Sequence, residues 1–317
     1  DAADTGPANG TITLDATAVN DAPALANGGN SVNFSAGSGT EIVISNSLTV
    51  LDVDDTTLAS ATVSITGNFA VGQDVLAFTN DPAQHGNITA SYNATTGVLS
   101  LTSAGSTATL AQWQAALRSV TFSNADASPA TGTRTISFVV NDSEANSTAV
   151  TSSVNIVFAP VIGNLDGDSV TYTEGGGAVA IDTGTAATVA DNDNTDFNGG
   201  NLTVSITAGG DAAQDILTIG GSILSGGTAG SDVTIGGVVI GTLANNIATG
   251  NDLVINFNED ATPARVASLL AAIQYSNNST DDPTTGARTV QVTLTDDSGG
   301  FTSSPAEITV NVVGIND

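Results

Sequence analysis

The sequence predicts an all-β protein made of short strands arranged as sandwich modules. Apolar residues alternate with small polar ones over several short runs, which is the period of a half-buried strand. β-Branched residues fill these runs, and Gly, Asn and Asp separate them. Runs of this kind at a spacing of roughly ten residues are typical of a β-sandwich. The clearest runs are Ser60–Ile65, Arg134–Val140, Thr151–Phe158, Asn201–Ile206 and Arg288–Leu294.

Two stretches depart from this alternation. Ala108–Phe122 and Ala261–Tyr275 each place large apolar residues at spacings of three and four, which is the period of an amphipathic helix. We expect each stretch to form one or two helical turns that cover an edge or end of a sheet. Trp113, in the first stretch, is expected to fill the core rather than to stack on a sugar. His85, in a polar loop, is expected to be solvated.

The two helical stretches belong to an internal repeat. Thr131–Thr135 (TGTRT) recurs as Thr285–Thr289 (TGART), and Thr62–Ile65 (TVSI) recurs unchanged as Thr203–Ile206. Motifs that recur in the same order along the chain predict two tandem modules.

We place the first module at residues 23–158 and the second at residues 159–317. Residues 1–22 resemble the last strand and exit segment of the second module. They are therefore predicted to be the closing strand and linker of a preceding module, left by truncation of a longer array. The alternative is a strand donated to a neighbouring molecule.

The charge balance excludes several classes of function. The chain has 27 Asp and 5 Glu against four Arg and no Lys, and its net charge is −28. Such a surface repels nucleic acid and anionic lipid, and no apolar run is long enough for membrane insertion. Without Cys there are no disulfides or thiolate metal sites. The excess of Asp over Glu favours turns, where a short carboxylate can bind a hard cation.

The acids fall at equivalent points of the repeat, before a TVSI-containing strand and after the strand that begins at the repeated Arg. These acids are Asp52, Asp54 and Asp142 in the first module and Asp191, Asp193 and Asp296 in the second. An Asp-x-Asp pair on an extended loop aims both carboxylates the same way, because the side-chain period is two. With an Asp from another strand end and linker oxygens, the set approaches the roughly six to eight oxygen ligands that Ca²⁺ prefers.

Several short motifs, in their order along the chain, resemble the cadherin-like repeats of large bacterial surface adhesins. These repeats are related to the VCBS type and often occur in proteins secreted by repeats-in-toxin systems. The motifs are Asn20–Pro23 (NDAP), Thr96–Leu99 (TGVL), Val139–Asp142 (VVND), Val170–Gly175 (VTYTEG) and Val189–Asp193 (VADND). The resemblance implies tandem cadherin- or immunoglobulin-like Greek-key β-sandwiches, each with one short helix, outside the cell or on the bacterial cell surface.

The resemblance also implies Ca²⁺ at the module junctions. The first junction would use Asn20, Asp21, Asp52, Asp54 and Asp142. The second would use Asp191, Asp193 and Asp296, and the third Glu174, Asn316 and Asp317.

At two of the positions implied to bind Ca²⁺, the chain departs from the family pattern. Ala36 occupies the position of Glu174 in the first module, and Ala159-Pro160 replaces the Asn-Asp linker between the modules. Asp166 and Asp168 lie close enough in sequence to replace the missing linker ligands.

The function implied is a calcium-stiffened extender segment of an extracellular adhesin, acting in cell adhesion and biofilm formation. Its partners would be neighbouring modules of the same chain or identical chains, with polysaccharide as a further candidate. A subunit of a calcium-dependent filament or surface array, or a glycan-binding module, is the alternative. The acids occupy repeated positions, whereas a catalytic carboxylate pair is normally unique, so the chain is predicted not to be an enzyme.

Overall fold

The computed structural model describes residues 19–279, 281–297 and 300–316. The helices are α1 (Pro82–His85), α2 (Leu110–Arg118) and α3 (Pro263–Leu270), and a 3₁₀ turn covers Ala104–Ser106. The strands are β1 (Ala24–Ala26), β2 (Ser31–Ser35), β3 (Ile42–Val43), β4 (Thr49–Leu51), β5 (Ser60–Gly67), β6 (Asp74–Ala77), β7 (Ile88–Asn93), β8 (Val98–Ser103), β9 (Thr121–Asn124), β10 (Gly132–Asn141), β11 (Val150–Val157), β12 (Val161–Gly163), β13 (Ser169–Thr173), β14 (Val179–Ala180), β15 (Thr188–Ala190), β16 (Asn201–Ala208), β17 (Asp215–Ile219), β18 (Asp232–Ile235), β19 (Val238–Leu243), β20 (Leu253–Phe257), β21 (Ile273–Asn277), β22 (Gly286–Thr295) and β23 (Ala306–Val313).

The fold is all-β with short helices, as the sequence predicts. The five runs of alternating residues fall in β5, β10, β11, β16 and β22, except that Phe158 follows the end of β11. Most of the predicted closing strand in residues 1–22 lies outside the described residues, because the description starts at Val19.

The repeat is visible in the sheet topology. β1 to β11 form a two-stranded sheet (β1-β4), a three-stranded sheet (β3-β9-β6) and a six-stranded sheet in the order β2-β11-β10-β5-β8-β7. β12 to β23 form a two-stranded sheet (β12-β15), a three-stranded sheet (β14-β21-β17) and a seven-stranded sheet in the order β13-β23-β22-β16-β20-β19-β18. The strand order is therefore conserved between the two sets, and the second set has one more strand in its large sheet.

The described residues divide into two compact units. Of the described residues, the first unit draws on 19–30, Val43–Phe122 and Thr135–Ser153, and the second on Ser31–Ile42, Ser123–Arg134 and those between 154 and 316. The division falls within β10 and β11, so the predicted module boundaries at 22/23 and 158/159 stay a prediction.

The core of the second unit lies between its two larger sheets. Inward-facing residues of β16, β22 and β23, such as Val204, Val292 and Ile308, belong to one buried cluster with Leu217 of β17 and Tyr275 of β21. Each fully buried aliphatic side chain of this kind stabilises the fold by about 1.5–3 kcal/mol. In the first unit, alternate residues of β5 and β8 are buried in the same way.

The two predicted helical stretches form α2 and α3, which pack beside β4 and β15 respectively. Thr109 caps α2 in a reciprocal arrangement with Gln112, and Pro263 starts α3 at a position where a missing N–H costs nothing. Trp113 is fully buried and donates its Nε1–H to the Leu58 carbonyl at 3.0 Å. The prediction that Trp113 fills the core is confirmed.

The first unit has a second short helix, α1, that the sequence analysis missed. Asp81 caps it by accepting the Ala83 N–H at 3.0 Å, and Pro82 starts it. The prediction that His85 is solvated is wrong: its side chain is only 5% exposed, packs on the Phe78 ring at 5.1 Å and accepts the Asp81 N–H through Nδ1 at 3.0 Å. Burial lowers the pKa of His85, and the nearby Asp81 charge opposes this shift.

Candidate cation sites

The loops that follow β4 and β10 bring three carboxylates together in the first unit. Asp52, Asp55 and Asp142, which we call the first acidic cluster, each place one carboxylate oxygen within 4.8 Å of the others. The chain bends at Val53 and Asp54, so residues three positions apart, rather than two, face the same point. Asp55 was therefore missed by the sequence analysis, which assumed an extended loop.

Backbone N–H groups hold two of these carboxylates in place. Oδ1 of Asp52 accepts the N–H groups of Asp54 at 3.2 Å and Asp55 at 3.0 Å. Oδ2 of Asp52 is buried and has no hydrogen-bond partner among the described residues. Oδ1 of Asp142 accepts the N–H groups of Glu144 and Ala145, each at 2.7 Å. One oxygen of each carboxylate is thus fixed by its own loop.

The linker before β1 is tied to the same loops. The Asn20 side-chain amide donates to Oδ2 of Asp142 at 3.0 Å. The Asp21 N–H lies 3.2 Å from Oδ2 and 3.4 Å from Oδ1 of Asp54. The structure therefore brings together all five residues predicted for the first junction, although Asp54 binds the linker backbone instead of facing the first acidic cluster.

The carboxylates of this cluster differ in how readily they ionise. Burial opposes ionisation of Asp142, but hydrogen bonds from the Ala145 N–H, the Asn20 amide and the Glu144 N–H outweigh it and lower the pKa of Asp142. Desolvation raises the pKa of Asp55, and the charges of Asp52, Asp54 and Asp142 add to this shift. The cluster thus concentrates negative charge without a basic side chain among its described hydrogen-bond partners.

The equivalent loops of the second unit hold Asp191, Asp193 and Asp296, which we call the second acidic cluster. Oδ1 of Asp191 accepts the Asp193 N–H at 3.1 Å and the Asn194 N–H at 3.2 Å. Oδ2 of Asp191 is buried and without a hydrogen-bond partner among the described residues. This arrangement repeats the one at Asp52.

The remaining contacts of the second acidic cluster differ from the first. The Phe158 N–H donates to Oδ1 of Asp193 at 2.9 Å, and the Asn194 amide donates to Oδ2 of Asp296 at 3.3 Å. Burial, the neighbouring Asp191 and the Asp296 charge raise the pKa of Asp193 to about 7, although the Phe158 N–H opposes the shift. Asp193 therefore carries much of the electrostatic strain of this cluster.

The predicted third site is described only in part. Glu174 is 7% exposed, and its two oxygens accept the N–H groups of Asp282 and Ile315, both at 2.7 Å. Glu174 thus fastens the segment that precedes Asn316, which is exposed. Asp317 lies outside the described residues, so the third set stays a prediction.

Asp166 and Asp168 have structural partners of their own. Oδ1 of Asp166 accepts the Glu307 N–H at 2.9 Å, and Oδ2 of Asp168 accepts the Thr183 N–H at 2.6 Å. These bonds hold the turn before β13 against neighbouring segments of the second unit. These contacts do not involve the linker between the modules, so the replacement of the missing linker ligands by the two acids stays a prediction.

The chemistry of the first acidic cluster fits a hard divalent cation such as Ca²⁺. All the candidate donors are oxygens, as Ca²⁺ requires. A buried carboxylate oxygen without a donor is costly, because a buried charge needs a partner. Oδ2 of Asp52 is such an atom, and a cation would supply its partner. The linker approaches the same loops through the Asn20 amide and the Asp21 N–H.

A buried charged pair in the second unit was also missed by the sequence analysis. Arg288 Nε lies 3.2 Å from Oδ2 of Asp215, and Nη2 lies 3.3 Å from Oδ1. The Tyr275 hydroxyl donates to Oδ1 of the same carboxylate; burial, followed by Asp215, raises the pKa of Tyr275. The repeated tetrapeptides QDVL at 73–76 and QDIL at 214–217 were the available signal. The paired Asp215 fastens β17 to β22.

No helix in the described part of the chain is long and apolar enough to cross a membrane. No protein-family model matches the chain. Halomucin from Haloquadratum walsbyi (strain DSM 16790 / HBSQ001) is 33% identical over 159 residues, which are 49% of this chain but only 2% of that protein. The chain therefore corresponds to a small fraction of the length of this relative.

Solved structures of tandem domains also resemble the chain. An I-band fragment of titin aligns over 92% of this chain and 66% of its own length, with 7% identity and a TM-score of 0.33. The extracellular cadherin domains 1–5 of protocadherin gamma B2 align over 95% and 41%, with 14% identity and a TM-score of 0.23. Human CDH23 domains EC21–23 align over 94% and 71%, with 13% identity and a TM-score of 0.23. Scores this low establish no common fold, so the fold assignment rests on the strands and sheets themselves.

Proposed function

We propose that the chain is a calcium-stiffened structural segment of a large extracellular adhesin-like protein. The observation that carries the proposal is the first acidic cluster, where the linker residue Asn20 bonds one of three converging carboxylates. The similarity of half the chain to halomucin supports a place in a very long protein, because the matched part is only 2% of it. Trp113 is buried and so unavailable to stack on a sugar, which gives no support to the glycan-binding alternative.

The proposed mechanism is mechanical. Without a cation, the like charges of Asp52, Asp55 and Asp142 repel one another. Their loops are then joined to the linker through the hydrogen bonds made by Asn20 and the Asp21 N–H. Bound Ca²⁺ would supply positive charge at the buried oxygen of Asp52. Because Asn20 bonds Asp142 and the Asp21 N–H bonds Asp54, holding these loops still also holds the linker still.

The size of the effect at one site is modest. Extracellular calcium modules have Kd values of about 10⁻⁴–10⁻³ M, and a tenfold excess of free Ca²⁺ over Kd stabilises the bound form by about 1.4 kcal/mol. For a unit of this size that corresponds to a rise in Tm of about 3–6 °C. In a long array the same small gain recurs at each junction of this type and restricts the bending of the whole.

The test is a thermal melt in EDTA and in millimolar CaCl₂, with small-angle scattering under both conditions. We expect a higher Tm and a longer, less variable particle with Ca²⁺, and no such response in Asp52→Asn. Asp126→Asn, at an acid of the chain outside both acidic clusters, is the control that should respond like the wild type. An unchanged Tm and scattering curve for the wild type would contradict the proposal.

A further inference from the structure

A cavity lies in the second unit, at the end of β16. Its volume is about 300 Å³, and it is lined by residues 206–212, Asp215 and residues 250–252. None of these residues belongs to the first or second acidic cluster. Most of them are exposed, so a ligand can reach the cavity from solvent. Small-molecule sites range from about 300 to 1,000 Å³, and this cavity therefore has room for one small ring.

The first unit contains the same turn, so the two places can be compared residue by residue. Ile65–Leu76 corresponds to Ile206–Leu217 without insertion or deletion. In both turns the same backbone N–H, that of Ala70 or of Asp211, donates to the aspartate four positions later at 2.7 Å. The backbone frame of the cavity is thus present in both units.

An aromatic ring stands at this place in the first unit. Phe69 is the counterpart of Gly210, and its ring lies so close to Gly97 that a Cβ on Gly97 would come within 3.0 Å of it. Ile65 is 5% exposed there, whereas its counterpart Ile206 is only partly buried. The cavity therefore lies where the first repeat has a ring and the second has a glycine.

Two lining residues change from apolar to acidic together with this loss. Asp211 takes the place of Ala70. Asp252 takes the place of Val98, because the residue after each pairs with the equivalent valine of β5 or β16. An apolar ligand in the position of the Phe69 ring would leave these carboxylates against apolar surface. The change therefore favours a ligand that offers hydrogen-bond donors.

Asp211 is ionised and held in place at the cavity. Its Oδ2 accepts the Thr284 hydroxyl at 2.6 Å, and its Oδ1 accepts the Ala213 N–H at 2.9 Å. These two bonds lower the pKa of Asp211; desolvation opposes the shift and the Arg288 charge adds to it. An ionised carboxylate accepts hydrogen bonds and donates none, and each oxygen can accept more than one. Ligand hydroxyl groups are suitable donors.

The acids of the cavity are not arranged to hold a metal ion. Among the described residues, the acids that bring three carboxylate oxygens within 4.8 Å of one another are those of the first acidic cluster. Asp215 already accepts Arg288 and the Tyr275 hydroxyl. A guanidinium or ammonium ligand is bound best by carboxylates that converge on one point, and Asp211, Asp215 and Asp252 do not converge in this way.

We propose that this cavity binds a neutral pyranose ring of a glycan. Such a ring has an apolar face to lie on Ile206 and Ala212, and hydroxyl groups at its rim to donate to Asp211 and Asp252. An acidic sugar would be repelled by the same carboxylates. The inference goes beyond the proposed function, needs no bound cation, and places glycan binding in the second unit, away from Trp113.

The first test is a titration of ¹⁵N-labelled protein with the methyl glycosides of glucose, galactose and mannose, followed by amide NMR. We expect at least one of them to shift the signals of residues 206–212 and 250–252 saturably, and methyl glucuronide to shift none. The titration is made in EDTA, so that its result is independent of the calcium proposal. No saturable shift with any of the three neutral glycosides would overturn the inference.

Variants that restore residues of the first unit test the assigned positions. Gly210→Phe introduces the ring found at Phe69 and should abolish binding. Asp252→Val introduces the residue found at Val98, at an exposed position, and should weaken binding by about tenfold, because a charge-assisted hydrogen bond is lost.

Asp232→Val is the matched control for Asp252→Val. It makes the same change at an exposed position of β18 that does not line the cavity, and it should bind like the wild type. Equal losses in the two variants would overturn the site. This pair decides the matter even if Gly210→Phe fails to fold.

Two further probes represent competing ligands. Arginine methyl ester represents an organic cation, and p-cresol represents an aromatic side chain of a protein partner. If either probe shifted the cavity signals saturably while the neutral glycosides did not, the sugar assignment would be overturned in favour of that ligand class.

Discussion

The loops Asp52–Asp55 and Asp191–Asn194 share one backbone arrangement and differ in how their charge is compensated. In each loop the first aspartate accepts the N–H groups two and three positions later and keeps one buried oxygen without a partner among the described residues. The fourth position is Asp55 in the first loop and Asn194 in the second. The second loop therefore has one negative charge fewer.

The amide of Asn194 does more than remove a charge. It donates to Asp296, whereas Asp142, the equivalent of Asp296, receives its amide from Asn20 in the linker. The third residue of each loop accepts a backbone N–H from the linker. The donor is the exposed Asp21 at the first loop and the buried Phe158 at the second. The two loops thus show one scaffold used in two ways, with linker polarity and loop charge changed together.

Acids at equivalent positions of the repeat therefore need not form equivalent cation sites. The first loop collects three carboxylates and has no side-chain amide of its own. The second satisfies Asp296 with its own amide and joins its linker through a buried aromatic residue. We therefore expect most of the calcium response of this chain to arise at the first acidic cluster.

The largest expected effect comes from Asn194→Asp, which gives the second loop the charge of the first. The change removes the hydrogen bond to the buried Asp296 and places a carboxylate beside it. Without a cation, we expect the free energy of unfolding of the second unit to fall by about 2 kcal/mol, and its Tm by about 4–8 °C. Thermal melts in EDTA and in CaCl₂ measure this, and CaCl₂ should recover part of the loss.

Asn192→Asp is the matched control for this variant. It adds the same charge to an exposed neighbouring position, so its Tm in EDTA should stay close to that of the wild type. Equal losses in the two variants would show that total charge, and not the contact with Asp296, sets the difference between the loops.

A smaller effect of opposite sign is expected from Asp55→Asn, which gives the first loop the composition of the second. Removing one of three converging carboxylates should weaken Ca²⁺ binding by about tenfold, as isothermal titration calorimetry measures. The Tm in EDTA should rise slightly, because repulsion from Asp52 and Asp142 is relieved. Glu144→Gln is the control, at an exposed acid two positions after Asp142, and it should change neither the Ca²⁺ affinity nor the Tm. An unchanged affinity in Asp55→Asn would remove Asp55 from the site.

The strands, the helices α2 and α3 and the region of the first acidic cluster could be predicted from the sequence. Period-two runs predict strands because alternate side chains face the core, and Trp113 lies on the apolar face of an amphipathic stretch. Asp52 and Asp142 were found because the repeat marks positions that both modules keep. Such signals come from residues that are close in sequence or that occupy equivalent positions in the repeat.

What the sequence could not predict depends on contacts between distant segments or on local bends. Asp55 faces Asp142 only because the chain bends at Val53 and Asp54. His85 is buried because α1 turns it onto Phe78, although every residue around it is polar or small. The Asp215–Arg288 pair joins residues 73 positions apart. Separate repeats mark its two members, the QD tetrapeptides and the TGxRT motif, but neither repeat indicates that they pair.

The smallest expected effect is a difference in pH dependence between the loops. The pKa of Asp193 is about 7, against 3.8 for an unperturbed aspartate, so the folded chain holds a proton that the unfolded chain releases. This contribution to stability is complete below pH 3.8 and is lost as pH rises through 7. In EDTA, the Tm should therefore rise as pH falls from 8 to 6, by at most about 3–5 °C. Asp193→Asn should flatten this rise, whereas Asp52→Asn, in the other loop, should preserve it. A slope that survived in Asp193→Asn would assign the titration to another group and would remove the electrostatic strain attributed to the second acidic cluster.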